Sequence, residues 1–250
     1  MKVVPISRDT LVAVEQAAVR SWPALQTADI DGWLWRYASG GSLRANSVAA
    51  LAFVGTSVDA SIAEAERRYG AQGAPCRFTI AEVSEPSDLD RRLEALGYAR
   101  SEDHVTMAKA VTADVAMPGD VEVSANPTPE WLVVYLSGLS ADRTAIAPTI
   151  LAGLPAPRVF LACRRVGSVV GVGLTIPDGE LASVQCMATL ATARRQGCAR
   201  VVLRAIEGQA AARRCRYLYL QTECGNVAAI ALYESFGFRV AGRYHIRTRR

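Results

Sequence analysis

The chain has 250 residues, is 50% hydrophobic and 21% charged, and carries a formal net charge of +4. That balance belongs to a globular chain and not to a disordered one, and the length suffices for one large domain or two modest ones. The longest apolar runs, 132–136 and 169–176, are far too short to cross a bilayer, so no membrane partner is expected.

Met1 to Pro5 open the chain without a long apolar run or a small-residue cleavage site, which predicts a cytoplasmic protein. Residues 10–21 read as a helix, with Leu11, Val14, Ala18 and Val19 on one face. Residues 32–38 are strand-like and close on the turn Ser39-Gly40-Gly41. Ser57 is a good N-cap for a helix to Tyr69; 76–82 read as a strand; Ser87 caps a helix that Gly97 ends; and 103–110 form a further strand. Residues 111–120 lack periodicity and hold Pro118 and Gly119, so they are read as a linker between units 1–112 and 121–250.

Beyond the linker, helices are expected near 128–139 and 142–151. Strands follow at 158–164, 169–176 and 181–189, then a loop, a helix from about Gly197 to Arg214, and a strand at 217–223. Asn226 opens a helix that Gly237 stops, and 238–248 form the last strand. Sliding the sequence by 140 positions lays Leu93-Glu94-Ala95-Leu96-Gly97-Tyr98 on Tyr233-Glu234-Ser235-Phe236-Gly237-Phe238. The helix at 57–69 then falls on 197–209, which argues for two copies of one fold.

The six cysteines form no C-x-x-C pair and read as buried reduced thiols. The two histidines, His104 and His245, make no close ligand pair, so no metal is expected, and there is no G-x-S-x-G for a serine hydrolase. The positive charge is nearly all arginine, yet acids are scattered among it and no basic stretch is interleaved with aromatics, which argues against nucleic acid.

The strongest chemical signal is the run from Met187 to Ala199. A strand end, Met187-Ala188-Thr189, leads through a polar loop, Arg194-Arg195-Gln196-Gly197, into a helix that starts at Cys198-Ala199. Such a loop presents backbone N–H groups and the positive end of a helix dipole to a diphosphate, and Arg194 and Arg195 add charge. The segment resembles the acyl-CoA-binding motif of GNAT acetyltransferases, Arg/Gln-x-x-Gly-x-Gly/Ala, with Arg194, Gly197 and Ala199 matching. A second stretch, Asn226-x-x-Ala229-x-x-x-Tyr233-x-x-Phe236-Gly237-Phe238, resembles the other GNAT motif.

The resemblance implies an α/β fold of two tandem GNAT-like units, each a mixed, mostly antiparallel sheet flanked by helices. It implies an N-acetyltransferase that takes acetyl-CoA as co-substrate and a primary amine of a small molecule or peptide as acceptor. Cofactor contacts would come from 187–189, 194–199, Asn226, Ala229 and Tyr233, with Tyr233 as the acid for the leaving thiolate. Many family members carry a strand glutamate as base. The comparable positions here, Ser183 and Gln185, are not bases, which leaves Glu223 as the first substitute and Glu180 as the second. That missing base keeps open a non-catalytic acyl-CoA-binding module. A homodimer is also left open.

The N-terminal copy reads as degenerate. Leu93 stands where the second copy has Tyr233, Pro86 where it has Asn226, and Asp59 would repel a phosphate. Trp33, Trp35, Arg36 and Asn46 mix aromatic and polar groups that could line an acceptor pocket between the units. A packed core explains them equally well.

Overall fold

The computed structural model describes residues 6–113 and 115–250. Residues 1–5, read above for a leader, and Asp114, in the expected linker, lie outside the described residues. The first half runs α1 (Arg8–Arg20), β1 (Gln26–Ile30), β2 (Trp33–Tyr37), β3 (Val48–Ala49), α2 (Val58–Ala71), β4 (Cys76–Ala81), α3 (Leu89–Ala95), β5 (Ala99–Arg100) and β6 (His104–Ala110). The second runs β7 (Val121–Ser124), α4 (Pro129–Leu136), α5 (Ala141–Ala152), β8 (Val159–Arg165), β9 (Ser168–Thr175), β10 (Pro177–Asp178), β11 (Leu181–Ser183) and β12 (Gln185–Thr189). It ends with α6 (Cys198–Ala212), β13 (Tyr217–Glu223), α7 (Val227–Ser235) and β14 (Arg239–Arg249).

Four helices start on a side-chain cap, Ser57 and Asn226 among them as expected; Ser87 does not cap α3, whose N-cap is Asp88 with no side-chain bond to the helix. Ser7 accepts from Thr10 N–H at 3.1 Å, Ser57 from Ala60 N–H at 3.3 Å, Thr128 from Trp131 N–H at 3.1 Å and Asn226 from Ala229 N–H at 3.3 Å. The 140-residue repeat survives in three dimensions, since Val58 and Cys198 open α2 and α6 that far apart in sequence. The fold is the expected α/β arrangement, with mostly antiparallel sheets flanked by helices.

The halves are joined through exchanged strands. The large sheet runs β1-β2-β3-β4-β14-β6-β13-β11-β10. Thus β6, from the first half, lies between β13 and β14 of the second, while β14 crosses over to pair with β4. Where β6 and β14 cross, His104 pairs with Tyr244, its own repeat 140 positions on, and the two rings stack at 4.7 Å. The pseudo-twofold relation between the halves passes through this pair. A salt bridge of 2.7 Å between Lys109 on β6 and Glu207 on α6, both well buried, fastens the exchange.

Strand exchange hides edges that each half would otherwise expose. Alone, a 121–250 fragment would bare β13 along the seven residues that β6 covers. We expect that fragment to be insoluble or to melt without cooperativity, and to be rescued by co-expression with residues 1–120. A soluble fragment with a cooperative melt, followed by circular dichroism, would show instead that the second half is self-sufficient.

Candidate active site

The site begins with a split in the sheet. Next to the parallel pairing of β11 with β13, which runs from Leu181↔Tyr217 to Ser183↔Tyr219, Val184 N–H still reaches Tyr219 O at 2.8 Å. Then the chain leaves β13. Between Gln185↔Leu174 and Ala188↔Val172 one strand has an extra residue, a β-bulge, with Cys186 at φ 52°. The single strand expected over 181–189 is thus two, broken at Val184 into β11 and β12, and the bulge lies within β12. From here β12 pairs only with β9, and the end of β13 pairs only with β6, so the two strands diverge into a cleft. Leu190 N–H donates to Val170 O at 2.9 Å. By antiparallel alternation the backbone groups of Thr189 therefore point away from β9, into the cleft.

Helix α6 starts at the end of this cleft. Its N-cap, Gly197, sits at φ 81°, a left-handed conformation, and no side chain caps the helix. A Cβ at Gly197 would meet nothing within 4 Å, so the space in front of the helix is open. The N–H groups of Gln196, Gly197, Cys198 and Ala199 find no acceptor among the described residues. Arg194 and Arg195, the latter also left-handed at φ 63°, are exposed and form no ion pair there. Cys198 turns its side chain into the core while its N–H stays at the helix mouth. Gly173 allows α6 to lie this close to the sheet, because a Cβ there would stand 2.6 Å from Val202.

Helix α7 flanks the other side. Asn226 is its N-cap, holding Ala229 N–H. Tyr233 is 8% exposed, packs edge-on against Phe238 at 5.8 Å, and has its phenol pushed up to about 12 by burial. Its hydroxyl has no hydrogen-bond partner among the described residues, yet it is not sealed from solvent. Glu223 is exposed at the end of β13, opposite His104 in the ladder.

The four residues read as a substrate wall or a core are core. Trp33 is 0%, Trp35 4%, Arg36 3% and Asn46 3% exposed. Arg36 donates to Trp22 O, and its pKa is lowered to about 10, chiefly by burial and then by the Arg44 charge. Asn46 holds the 38–46 loop from within: it accepts from Ala38 N–H at 2.8 Å and donates to Ser42 O at 2.7 Å. The reason is what packs on the face of the sheet. Trp33 and Trp35, two apart on one face of β2, pack against Ile62, Ala65 and Tyr69 of α2, a helix that the local pattern of β2 could not announce.

Two residues that the sequence reading missed stand at the cleft instead. Glu15 on α1 is 4% exposed and accepts from Thr106 Oγ1 at 2.5 Å and from Gln221 Nε2 at 2.9 Å. Arg44 donates to Gln221 Oε1 at 2.8 Å from the other side. Nothing local marks either residue: both act through long-range contacts with β13. Burial raises the Glu15 carboxyl to about 7, only partly offset by the hydrogen bonds from Thr106 and Gln221 and by Arg44.

A carboxyl raised in this way binds more protons folded than unfolded between about pH 4.5 and 7. Its contribution to stability is full below that window and is lost as pH rises through it, on the order of 3 kcal/mol. We expect Tm to fall between about pH 5 and pH 8 and Glu15→Gln to flatten that fall. Parallel slopes for the two proteins would mean that Glu15 titrates as an ordinary surface acid.

The matching place in the first half is filled by the chain itself. Glu85 N–H bonds Ala50 O at 2.9 Å and Trp33 Nε1 bonds Glu85 O at 2.7 Å, which bridges the gap beyond the β3–β4 pairing. Helix α2 is capped by Ser57, and Asp59 in its first turn is held by Arg92 at 3.3 Å.

Comparison with known proteins matches residues 10–247 to the family described as "Probable histone acetyltransferase Rv0428c C-terminal". The chain is 26% identical over 254 residues to the uncharacterized N-acetyltransferase YobR of Bacillus subtilis, covering 97% of this chain and all of that one. Among solved structures, a GCN5-related N-acetyltransferase from Kribbella flavida superposes with a TM-score of 0.67 at 15% identity, covering 94% of each chain. A tandem GNAT protein from the clavulanic acid biosynthesis pathway superposes at 0.61 and 14%, covering 99% of this chain and 89% of that one. At these identities the structures speak for the fold alone.

Proposed function

Because the chain belongs to the Rv0428c C-terminal family and is a GNAT-type acetyltransferase, we propose that it moves an acetyl group from acetyl-CoA to a primary amine in the β12–β13 cleft. One observation carries this reading: an uncapped helix N-terminus with two unpaired arginines opens onto a split between strands. The α6 amides with Arg194 and Arg195 would hold the pyrophosphate, and the Thr189 backbone would pair with the pantetheine arm.

The neutral amine attacks the thioester carbonyl carbon. The developing oxyanion takes a backbone N–H of the bulged strand, the C–S bond breaks, and Tyr233 protonates the leaving thiolate. The proton lost by the amine goes to Glu223 at the cleft mouth, through water. Glu15 offers a second route, since a carboxyl near 7 is matched to base work at neutral pH. If Glu15 is the base, Glu15→Gln removes the acidic limb of the kcat/KM profile and Glu223→Gln leaves it in place; the reverse pattern assigns Glu223.

The test is thiol release from acetyl-CoA over a panel of amines, with mass spectrometry of the acetylated product. Acetyl-CoA binding without turnover on any amine would favour the non-catalytic acyl-CoA-binding module.

A further inference from the structure

The transfer reading leaves the acceptor undefined, and the contact between the halves narrows it. The loop Ser39-Gly40-Gly41-Ser42 of the first half packs onto the start of α5. A Cβ on Gly41 would stand 2.3 Å from Ile146 Cγ2 and 2.7 Å from Asp142 O. This contact brings Arg44, three residues beyond Gly41, toward Arg143, which follows Asp142. Arg44 is fixed in place: Asn46 pins its loop, the guanidinium lies over the Trp22 ring at 5.7 Å, and one N–H is spent on Gln221.

Neither arginine has a carboxylate partner among the described residues, and Arg143 makes no hydrogen bond there. Both charges are felt at the same two side chains, Tyr135 and Cys186, where they oppose the upward push of burial. Cys186 is the bulge residue at which β12 turns away from β13. Beside it, Gln185 Oε1 is buried without a donor.

We infer that Arg44 and Arg143 form a carboxylate-binding subsite over the Cys186 bulge, so that the acceptor is a small amine that also carries a carboxylate, such as an α-amino acid. This rests on the transfer reading above. A guanidinium matches a carboxylate with paired N–H groups, and one arginine from each half can reach the same group. The amine end would find Gln185 Oε1 as an acceptor. A lysine-rich protein segment would meet two unneutralised cations at this point.

The full chain is assayed with acetyl-CoA against α-amino acids, their α-carboxamides and a lysine-rich peptide. Turnover is expected for members of the first group alone. Arg44→Gln is expected to raise the acceptor KM by about ten- to a hundredfold, with the acetyl-CoA KM within about twofold and Tm lowered by only a few degrees for the lost Gln221 and Trp22 contacts. Arg44→Lys should recover part of the loss, and Arg143→Gln should act in the same direction. Carboxamides or the peptide used as well as the acids, or an acceptor KM unmoved in both glutamine variants, overturns the subsite.

A second arm works without turnover. In the dead-end mixture with CoA, amino acids should raise Tm above the carboxamide control in wild type and not in Arg44→Gln. That pattern without any thiol release supports the subsite while the transfer reading fails. Equal shifts for acid and amide overturn the subsite while the transfer reading stands.

Discussion

Tyr233→Phe is expected to lower kcat by about 10²–10⁴-fold, the usual worth of a positioned proton transfer. The acetyl-CoA KM should stay within a few fold, because the substitution removes one oxygen and leaves the ring against Phe238. Burial holds the phenol near 12, so it is protonated at any working pH and can donate to a thiolate. Its hydroxyl has no partner among the described residues, so no folded-state hydrogen bond is lost and Tm should not move. Steady-state kinetics, with a burst experiment to show that chemistry limits the rate, reads the effect. A Tyr233→Phe enzyme with wild-type kcat would remove the acid role from this residue.

Reversing charge at the phosphate loop is the second large effect. Arg194→Glu with Arg195→Glu places two anions where a diphosphate is to sit. Each charge-assisted contact is worth about 1.5–3 kcal/mol, so the pair should weaken acetyl-CoA by at least about a hundredfold. At a ligand concentration of about 100 Kd the wild type gains about 2.7 kcal/mol of apparent stability; weakened a hundredfold, it keeps only about 0.4 kcal/mol. The thermal shift on adding acetyl-CoA should therefore collapse, while the melting of the free protein stays put because both side chains are exposed and unpaired. A shift that survives, or one abolished by Asp59→Ala instead, moves the cofactor site elsewhere.

How far the sequence could be read depended on the range of the physics. Helix starts were legible where a cap is a contact between residues two or three apart, as at Ser57 and Asn226, and not at Ser87, which makes no such bond. The open start of α6 was legible for the same reason: a left-handed Gly197 and the next turn of helix are one local unit. Strand β1 was not, since Gln26–Ile30 has no alternation of its own and forms on the β2 edge. Trp33, Trp35 and Arg36 carried a pattern equally consistent with a pocket wall or a core, and burial was decided by strands far away in sequence.

By itself the sequence determined the two copies, their register 140 residues apart, and which copy keeps the Arg194-Arg195-Gln196-Gly197 loop before its helix. These rest on local periodicity, on caps and on the loss of Tyr and Asn in the first copy. Only the tertiary structure decided that the copies exchange their last strands, that β12 bulges away from β13, and that Glu15, Arg44 and Gln221 meet at the cleft. The reason lies in the chemistry of the ladder. Backbone N–H and C=O groups are the same in every residue, so the ladder itself does not name a strand's partner; that choice falls to the packing of whole elements, which brings together residues far apart in sequence.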